Sequence, residues 1–411
     1  MRSFIALSFY FGLVKKENLK SYWTTDNIYE TPFPKTVMGR DKFFNILAFL
    51  HLCNNDEYIA RGNAGYNPCL KLGMFYDYVT KRFSEVWSPR QNLSIDEGCI
   101  PFKGRIHFRC YNPKKIDKYH IKTFKLVDSS NNYCLKFRLY TGTTTDYEES
   151  KFGKTHDLVF YMLEGYLGDN FIIFMDNFYS SPYLFIELKN SNTGAVGTLR
   201  LNRKGIPDQV KREKLPNKGD KCSMSYNDEM TVTKVHDRKI VTFLSTVYNA
   251  DLVDTPRVHH ETGEPIQKPL VMTKYNKYMG GVDANDQLLK YSHFSKRTIK
   301  WWKKVFFRLL NVCMVNAYIL YREHKIKHNT PIKFSHTDFR LSVIRQLVNL
   351  SVSPDRVRNN LNNTTAEDYE RLTGRHFLSK IPVPENHKKK SLQRVCKVCS
   401  TAEIEFRRRN N

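Results

Sequence analysis

Three aspartates stand in unusual company in this chain. Asp96 lies in NLSIDEGCIPFKGR, Asp176 ends the apolar run FIIFMDNF, and Asp283 follows two glycines in KYMGGVDANDQ. Carboxylates suit hard divalent cations, because magnesium prefers oxygen ligands and keeps positions open for water and phosphate. Two such ions about 3.5–4 Å apart can steady both the attacking and the leaving oxygen of a phosphodiester. Crowded carboxylates repel one another, so without metal at least one pKa should rise, and a bound cation removes that penalty. The rest of the chain is basic, with 66 lysines and arginines against 41 acidic residues and a net charge of +25 over 411 residues. That excess favours nucleic acid over acidic small molecules as the partner. An acidic cluster here is a natural seat for magnesium or manganese against a phosphate backbone.

Each aspartate also has a plain structural explanation. Asp96 reads as a solvated strand residue, Asp176 as the start of a turn into Asn177, and Asp283 as a helix N-cap. Asp286 would then sit at N3, favoured by the helix dipole. What separates these readings is whether the surrounding elements converge.

Residues 1–90 read as mostly helical. The start, MRSFIALSFYFGLVKKE, has the charge and apolar stretch of a signal peptide but no small-residue cleavage site, and it predicts a core helix. Phe43, Ile46, Leu47 and Leu50 mark one helical face; Leu72, Phe75, Tyr76, Val79, Phe83 and Val86 mark another. From Asn92 the pattern changes to strands. NLSIDEGCIPF puts Leu93 and Ile95 on one side and Ser94 and Asp96 on the other. IKTFKLVD and YCLKFRLY, joined by SSNN, predict a hairpin. THDLVFYMLEGYL has a helical stripe of Leu158, Tyr161, Met162 and Tyr166. FIIFMD predicts a central strand buried on both faces, with Asp176 emerging at its carboxyl end, where ligands of open α/β sheets collect. Ser181 and Pro182 open a helix as N-cap and first helical residue, and GAVGTLR is a further strand.

Residues 204–265 break this pattern and predict a β-rich insertion around EMTVTKV and KIVTFLSTVY. The core resumes at KPLVMTKYN, turns at Gly280–Gly281 and enters a helix at Asp283. A long helix is expected from about Ile299 to Glu323, with Trp301, Val305, Leu309, Val312 and Asn316 near one face and Trp301 in the core. Its Lys300, Lys303, Lys304, Arg308, Asn311 and Asn316 argue against a lipid span. DFRLSVIRQLVNLSV is one more helix, followed by linker-like IPVPENHKKK. The class is α/β.

Lys103, Arg105, Arg109, Lys114, Lys115 and Lys118 flank the first aspartate, with Phe108, Tyr111 and Tyr119 between them. Such a stretch suits phosphate contacts and base stacking, or is a solvated basic hairpin. Nine cysteines, an odd number and mostly scattered, fit a reducing compartment. Cys396 and Cys399 in RVCKVCS form a zinc-type CxxC pair, half of a tetrahedral ligand set, which His387 does not complete at its spacing. Lys388–Lys390 and Arg407–Arg409 are compatible with nuclear import.

SIDEGCIPFKGR and the YNPKKIDKYHIKTFKLVDSSNNY after it resemble the first-aspartate motif of piggyBac-type DNA transposases. MDNFYSSP is similar to the second motif. GGVDANDQ, with KRTIKWWKKVFFRLLNVCMVNAYILYR, resembles the third and its trailing helix. FIALSFYFGLVKKENLKSYWTTD and VMGRDKFFNILAFLHLCNN look like the family's helical N-terminal segments. The resemblance implies an RNase H-like mixed sheet flanked by helices. The expected organisation is a helical N-terminal dimerisation or DNA-binding domain (1–90), a catalytic core in two parts (91–203 and 266–335) around the insertion (204–265), and a helical and linker region (336–411). The family's N-terminal acidic region is expected to be missing, and its zinc domain to be cut to a stump at Cys396 and Cys399, so zinc is a doubtful cofactor.

By the same resemblance, Asp96, Asp176 and Asp283 would hold magnesium or manganese, with Asp286 as an auxiliary acid. The implied reaction is nicking at transposon ends, hairpin formation on the excised end and joining at TTAA sites. The implied partners are double-stranded DNA and a second copy of the chain, in the nucleus, with no membrane. The alternative is a domesticated or decayed copy that binds DNA or chromatin without cutting it.

Overall fold

The run Ile172–Met175 is buried at every position, as expected of a strand covered on both faces. It lies inside a nine-stranded sheet of a computed structural model that describes residues 1–142, 150–294 and 297–349. His387, Lys388–Lys390, Cys396, Cys399 and Arg407–Arg409 lie outside the described residues.

The strands are β1 (Asn92–Pro101), β2 (Arg109–Tyr111), β3 (Tyr119–Asp128), β4 (Tyr133–Leu139), β5 (Ile172–Met175), β6 (Gly194–Thr198), β7 (Lys221–Tyr226), β8 (Met230–His236) and β9 (Ile240–Ser245). Their order is β2-β3-β1-β5-β6-β9-β8-β7, with β4 also on β3. β1 is antiparallel to β3, and β3 to β4; β1, β5 and β6 run parallel. The parallel steps are made by crossovers through α5 (Lys154–Leu163) and α6 (Pro182–Asn190). Ser181 caps α6, its hydroxyl accepting from the Leu184 amide, with Pro182 in the first turn. The β-rich segment supplies β7–β9, which extend the same sheet antiparallel from β6, and a separate ribbon of β10 (Leu252–Val258) and β11 (Pro265–Pro269), so it runs past the expected end at 265 and takes in Lys268 and Pro269.

The two faces of the sheet are covered differently. Gly197 of β6 abuts Phe185 and Ser180, so α6 covers its side. Ile172, Phe174 and Val196 point the other way and pack on Val271 and Met272 of α8 (Leu270–Tyr278). α9 (Gly281–Tyr291) lies on that second face, against β1 and β3.

The N-terminal helices are α1 (Arg2–Leu13), α2 (Pro32–Val37), α3 (Arg40–Phe49) and α4 (Gly73–Glu85); α7 (Asp208–Arg212) lies in the insertion. Phe4, Leu7 and Phe11 of α1 are buried, with Phe43 and Leu47 of α3 in the same core. Val86 falls beyond α4 and is exposed, so the predicted apolar face ends at Phe83.

α10 (Trp301–Lys327) is long and apolar enough to cross a membrane by length and composition. Its polar groups are engaged inside the protein instead. Asn316 brackets Cys134, accepting from its amide at 3.0 Å and donating to its carbonyl at 2.9 Å. Asn311 donates to the Leu289 carbonyl, and Lys303 to that of Leu47. α11 (His336–Asn349) packs on α1 and α10, and its Arg340 is fully buried, donating to Ser292 and Asn311. The tryptophan expectation needs correcting. Trp302 is the buried one, whereas Trp301 is only partly covered and meets Phe108 edge-on at 5.2 Å.

Candidate active site

Two of the aspartates are placed by strand register. In β1, Ser94, Asp96 and Gly98 alternate onto the face that α9 covers. In the parallel pair β1·β5, Ser94 matches Phe174 and Ile95 matches Met175. Asp176 is one residue past β5, so the same register sets it beside Asp96. A helix or strand need not be bent to achieve this; period-two alternation in two neighbouring strands suffices.

α9 brings the other two. Gly281 lies so close to β1 and the β3–β4 turn that a Cβ there would sit 2.6 Å from Ser94 Oγ and 3.2 Å from Ser129 Oγ. This close approach lays the first turn of α9 on the sheet, with Asp283 in that turn and exposed. One turn on, Asn285 is fully buried; its amide donates to the Asn132 carbonyl at 3.0 Å. Asp286 faces the sheet. Its Oδ1 accepts from Lys125 Nζ at 2.6 Å, and Arg308 approaches at 3.8 Å. Lys125 is the direct cross-strand partner of Asp96 on β3 and is itself buried.

The electrostatics divide the acids. Asp96 is pushed up to about 7, first by burial and then by repulsion from Asp176, Asp283 and Glu97, against the Glu97 amide, which donates to it at 2.7 Å. Asp176 is also raised, by burial and by Glu97, against the Phe178 amide, which donates to it at 2.8 Å. In Asp286 burial pushes upward too, but the Lys125 and Arg308 charges outweigh it and hold the carboxyl below its usual range. Three acids thus share one electrostatic neighbourhood, and the fourth is neutralised within it.

The arrangement fits a hard divalent cation in donor type. All the donors are carboxylate oxygens, two of them set side by side by register, and among the described residues only Arg200, acting on Asp176, eases their charge in part. The Tyr179 hydroxyl is buried beside Glu97, Asp96 and Asp176 and has no hydrogen-bond partner. Among the described residues no three acidic, His or Cys side chains converge on one point. One oxygen of Asp96 and one of Asp176 are turned to neighbouring backbone amides instead.

The six basic residues are all exposed, Arg109 on β2 and the other five in the loops that flank it. Arg109 lies over the Tyr119 ring, and Tyr111 packs 4.8 Å from Tyr119. Phe108 is buried against Trp301, so the surface aromatics are Tyr111 and Tyr119 alone. Lys115 is near enough to Asp286 to favour its charged form.

Sequence reasoning missed Lys125, Asn285, Arg308 and Gly98. Lys125 carried a signal: a lysine flanked by Phe124 and Leu126 in a strand buried on both faces needs a partner. Gly98 sits beneath it; a Cβ there would lie 3.1 Å from Lys125 Cε and 3.4 Å from Asp286 Oδ2.

A family model described as Transposase IS4 matches residues 1–318. Among curated proteins, the chain is 23% identical over 359 residues to PiggyBac transposable element-derived protein 3 from Homo sapiens, covering 84% of this chain and 57% of that protein. It is 21% identical over 364 residues to PiggyBac transposable element-derived protein 5 from Homo sapiens, covering 85% and 67%. The chain thus spans little more than half of the first relative's length. Among solved structures it superposes on a piggyBac transposase, determined as a synaptic complex with hairpin DNA, with a TM-score of 0.74 at 22% identity, covering 90% of this chain and 77% of that one. At that identity the likeness is one of fold, the RNase H-like mixed sheet flanked by helices.

Proposed function

The chain belongs to the Transposase IS4 family, and from that premise we propose that it is a piggyBac-type transposase that cuts and joins DNA strands at Asp96, Asp176 and Asp283. The observation that carries this reading is the register match of Asp96 and Asp176 on one sheet face, with burial and mutual repulsion pushing Asp96 up to about 7. An unpaired acid cluster costs stability unless a cation or a proton neutralises it. Asp96, Asp176 and Asp283 would hold magnesium or manganese there, which would supply the charge to activate an attacking water or hydroxyl and to stabilise the leaving oxygen.

The chain's own residues do the positioning. Asp96 presents its oxygens from the middle of β1 and Asp176 from just past the end of β5, and Asp283 joins them from the first turn of α9. Asp286, bound to Lys125, serves the site by pairing rather than as a base. Lys103, Arg105, Arg109, Lys114, Lys115 and Lys118 hold phosphates beside the acids, and Tyr111 and Tyr119 offer stacking surfaces. Transposon ends and TTAA targets as substrates, a second copy of the chain as partner and a nuclear site belong to the same reading.

A second reading is DNA or chromatin binding without cleavage. It is favoured by the lack of convergence of three carboxylates among the described residues, and the curated relatives are named as element-derived proteins. The test is to incubate the purified chain with labelled DNA carrying candidate ends and Mg²⁺ or Mn²⁺, beside D176N. Metal-dependent nicking that disappears in the variant supports the first reading. Retention of DNA with no nicking in either sample supports the second.

A further inference from the structure

Asp286 and Asp96 lie on the same sheet face, yet only one has a buried cation against it. We infer that Lys125 is a positioning residue that withdraws Asp286 from the metal-binding acids and pins α9 so that Asp283 stands with Asp96 and Asp176. This inference rests on the reading of those three acids as a metal site.

The geometry is specific. Lys125 is buried on β3 directly opposite Asp96, and an ammonium there has no route to solvent. A buried lysine needs a charged or polar partner for each donor it points inward. Lys125 Nζ finds two on consecutive residues of α9, Asn285 Oδ1 at 2.9 Å and Asp286 Oδ1 at 2.6 Å. Asn285 in turn donates to the Asn132 carbonyl in the β3–β4 turn. One lysine therefore ties the second turn of α9 to the strand beside β1, while Gly281 seats the first turn on Ser94. Asp283 lies between these two fixings. Gly98 leaves the space the lysine stem occupies, since a Cβ there would crowd both Lys125 and Thr123.

The charge logic follows. Four carboxylates on one face would offer a cation two competing seats. With Lys125 in contact, Asp286 is a neutralised pair, and the uncompensated charge is confined to the three other acids. Removing the lysine alone would release a fourth negative charge close to the site. Removing both partners would restore the original balance, because deleting one member of a buried pair is far worse than deleting both.

The test compares wild type, Lys125→Met, Asp286→Asn and the double variant. It uses Mn²⁺ titration calorimetry, DNA nicking at saturating Mn²⁺, and thermal melts to check folding. Lys125→Met is expected to bind Mn²⁺ at least about threefold more tightly yet nick at least about tenfold more slowly. The double variant should return Mn²⁺ affinity to within about threefold of wild type, because the charge balance is restored, while nicking stays slow, because the tie from β3 to α9 is still cut. Lys125→Met with unchanged Mn²⁺ binding, or a double variant that keeps the raised Mn²⁺ affinity or nicks like wild type, overturns the inference. If Lys125→Met does not fold, the double variant and Asp286→Asn decide it: wild-type-like Mn²⁺ binding in the double supports the inference, and altered binding overturns it. A wild-type chain that binds Mn²⁺ but never nicks sinks the nuclease reading, while the calorimetric comparison still judges Lys125. A wild-type chain that binds no Mn²⁺ overturns both.

Discussion

Asp96 and Asp286 are the same residue type on the same side of the sheet, and burial pushes both toward the protonated form. Their fates are opposite. Asp96 faces other acids and backbone amides and is pushed up to about 7; Asp286 meets Lys125 and Arg308 and is held below its usual range. Burial alone therefore does not make an acidic site. What distinguishes the strand-borne acids from the helix-borne one is contact: among the described residues no cation touches Asp96, Arg200 eases Asp176 only in part, and Lys125 is bonded directly to Asp286.

The sharpest way to break this contrast is to neutralise a strand-borne acid and look for lost chemistry. D96N and D176N are each expected to reduce metal-dependent nicking by roughly 10³-fold or more, read on labelled DNA with Mg²⁺ or Mn²⁺. Residual nicking within tenfold of wild type would remove that acid from the metal set.

The two acids should also move stability in opposite directions in metal-free buffer. The folded pKa of Asp96 lies above its unfolded value, so between about pH 4 and 7 the folded state holds a proton that the unfolded chain has lost. Stability is therefore full below that window and falls as pH rises through it. D96N removes this loss, and urea melts should find it more stable than wild type at pH 8 by about 2–4 kcal/mol, with no difference near pH 4. Mn²⁺ should narrow the gap by stabilising wild type alone. D286N has the opposite sign. Its carboxylate contributes above the unfolded pKa, so the variant should be less stable at pH 8 by about 1–3 kcal/mol, an effect that shrinks as pH falls. Equal effects in the two variants would dissolve the comparison.

Gly98→Ala probes the space that the Lys125–Asp286 pair needs. A Cβ 2.6 Å from Thr123 Oγ1 forces a shift beneath the lysine, and a loss of about 1–3 kcal/mol is expected in denaturant melts. Unchanged stability would mean that the packing there is looser than drawn.

The smallest effect on folding should come from the hairpin. Replacing Lys114, Lys115 and Lys118 together by alanine should leave stability within about 0.5 kcal/mol. Titrations at several salt concentrations should show weaker DNA binding with a salt slope flatter by about 2–3. An unaltered slope would make this stretch the solvated basic hairpin of the alternative reading.

Much of the frame was legible from residue order. The alternation of NLSIDEG put Asp96 opposite Leu93 and Ile95, and the unbroken FIIFM predicted a central strand with Asp176 at its exit. SSPY predicted its own cap. The tryptophan pair shows where periodicity failed. Both residues fit a helix, but only packing against neighbouring elements decided that Trp302 enters the core while Trp301 stays at the rim against Phe108. Phe108 fits a surface pattern equally well, since local pattern says nothing about what an adjacent helix covers, yet it is buried against Trp301.

Residue order by itself determined the local periods: which stretches form strands or helices, which side of each strand an acid occupies, and the basic balance of the whole. Those depend on neighbours one to four positions away. Only the tertiary structure decided which acids share a face and which of them meets a cation. The Lys125–Asp286 contact joins positions 161 residues apart, and no local pattern encodes the closure that brings them within 2.6 Å.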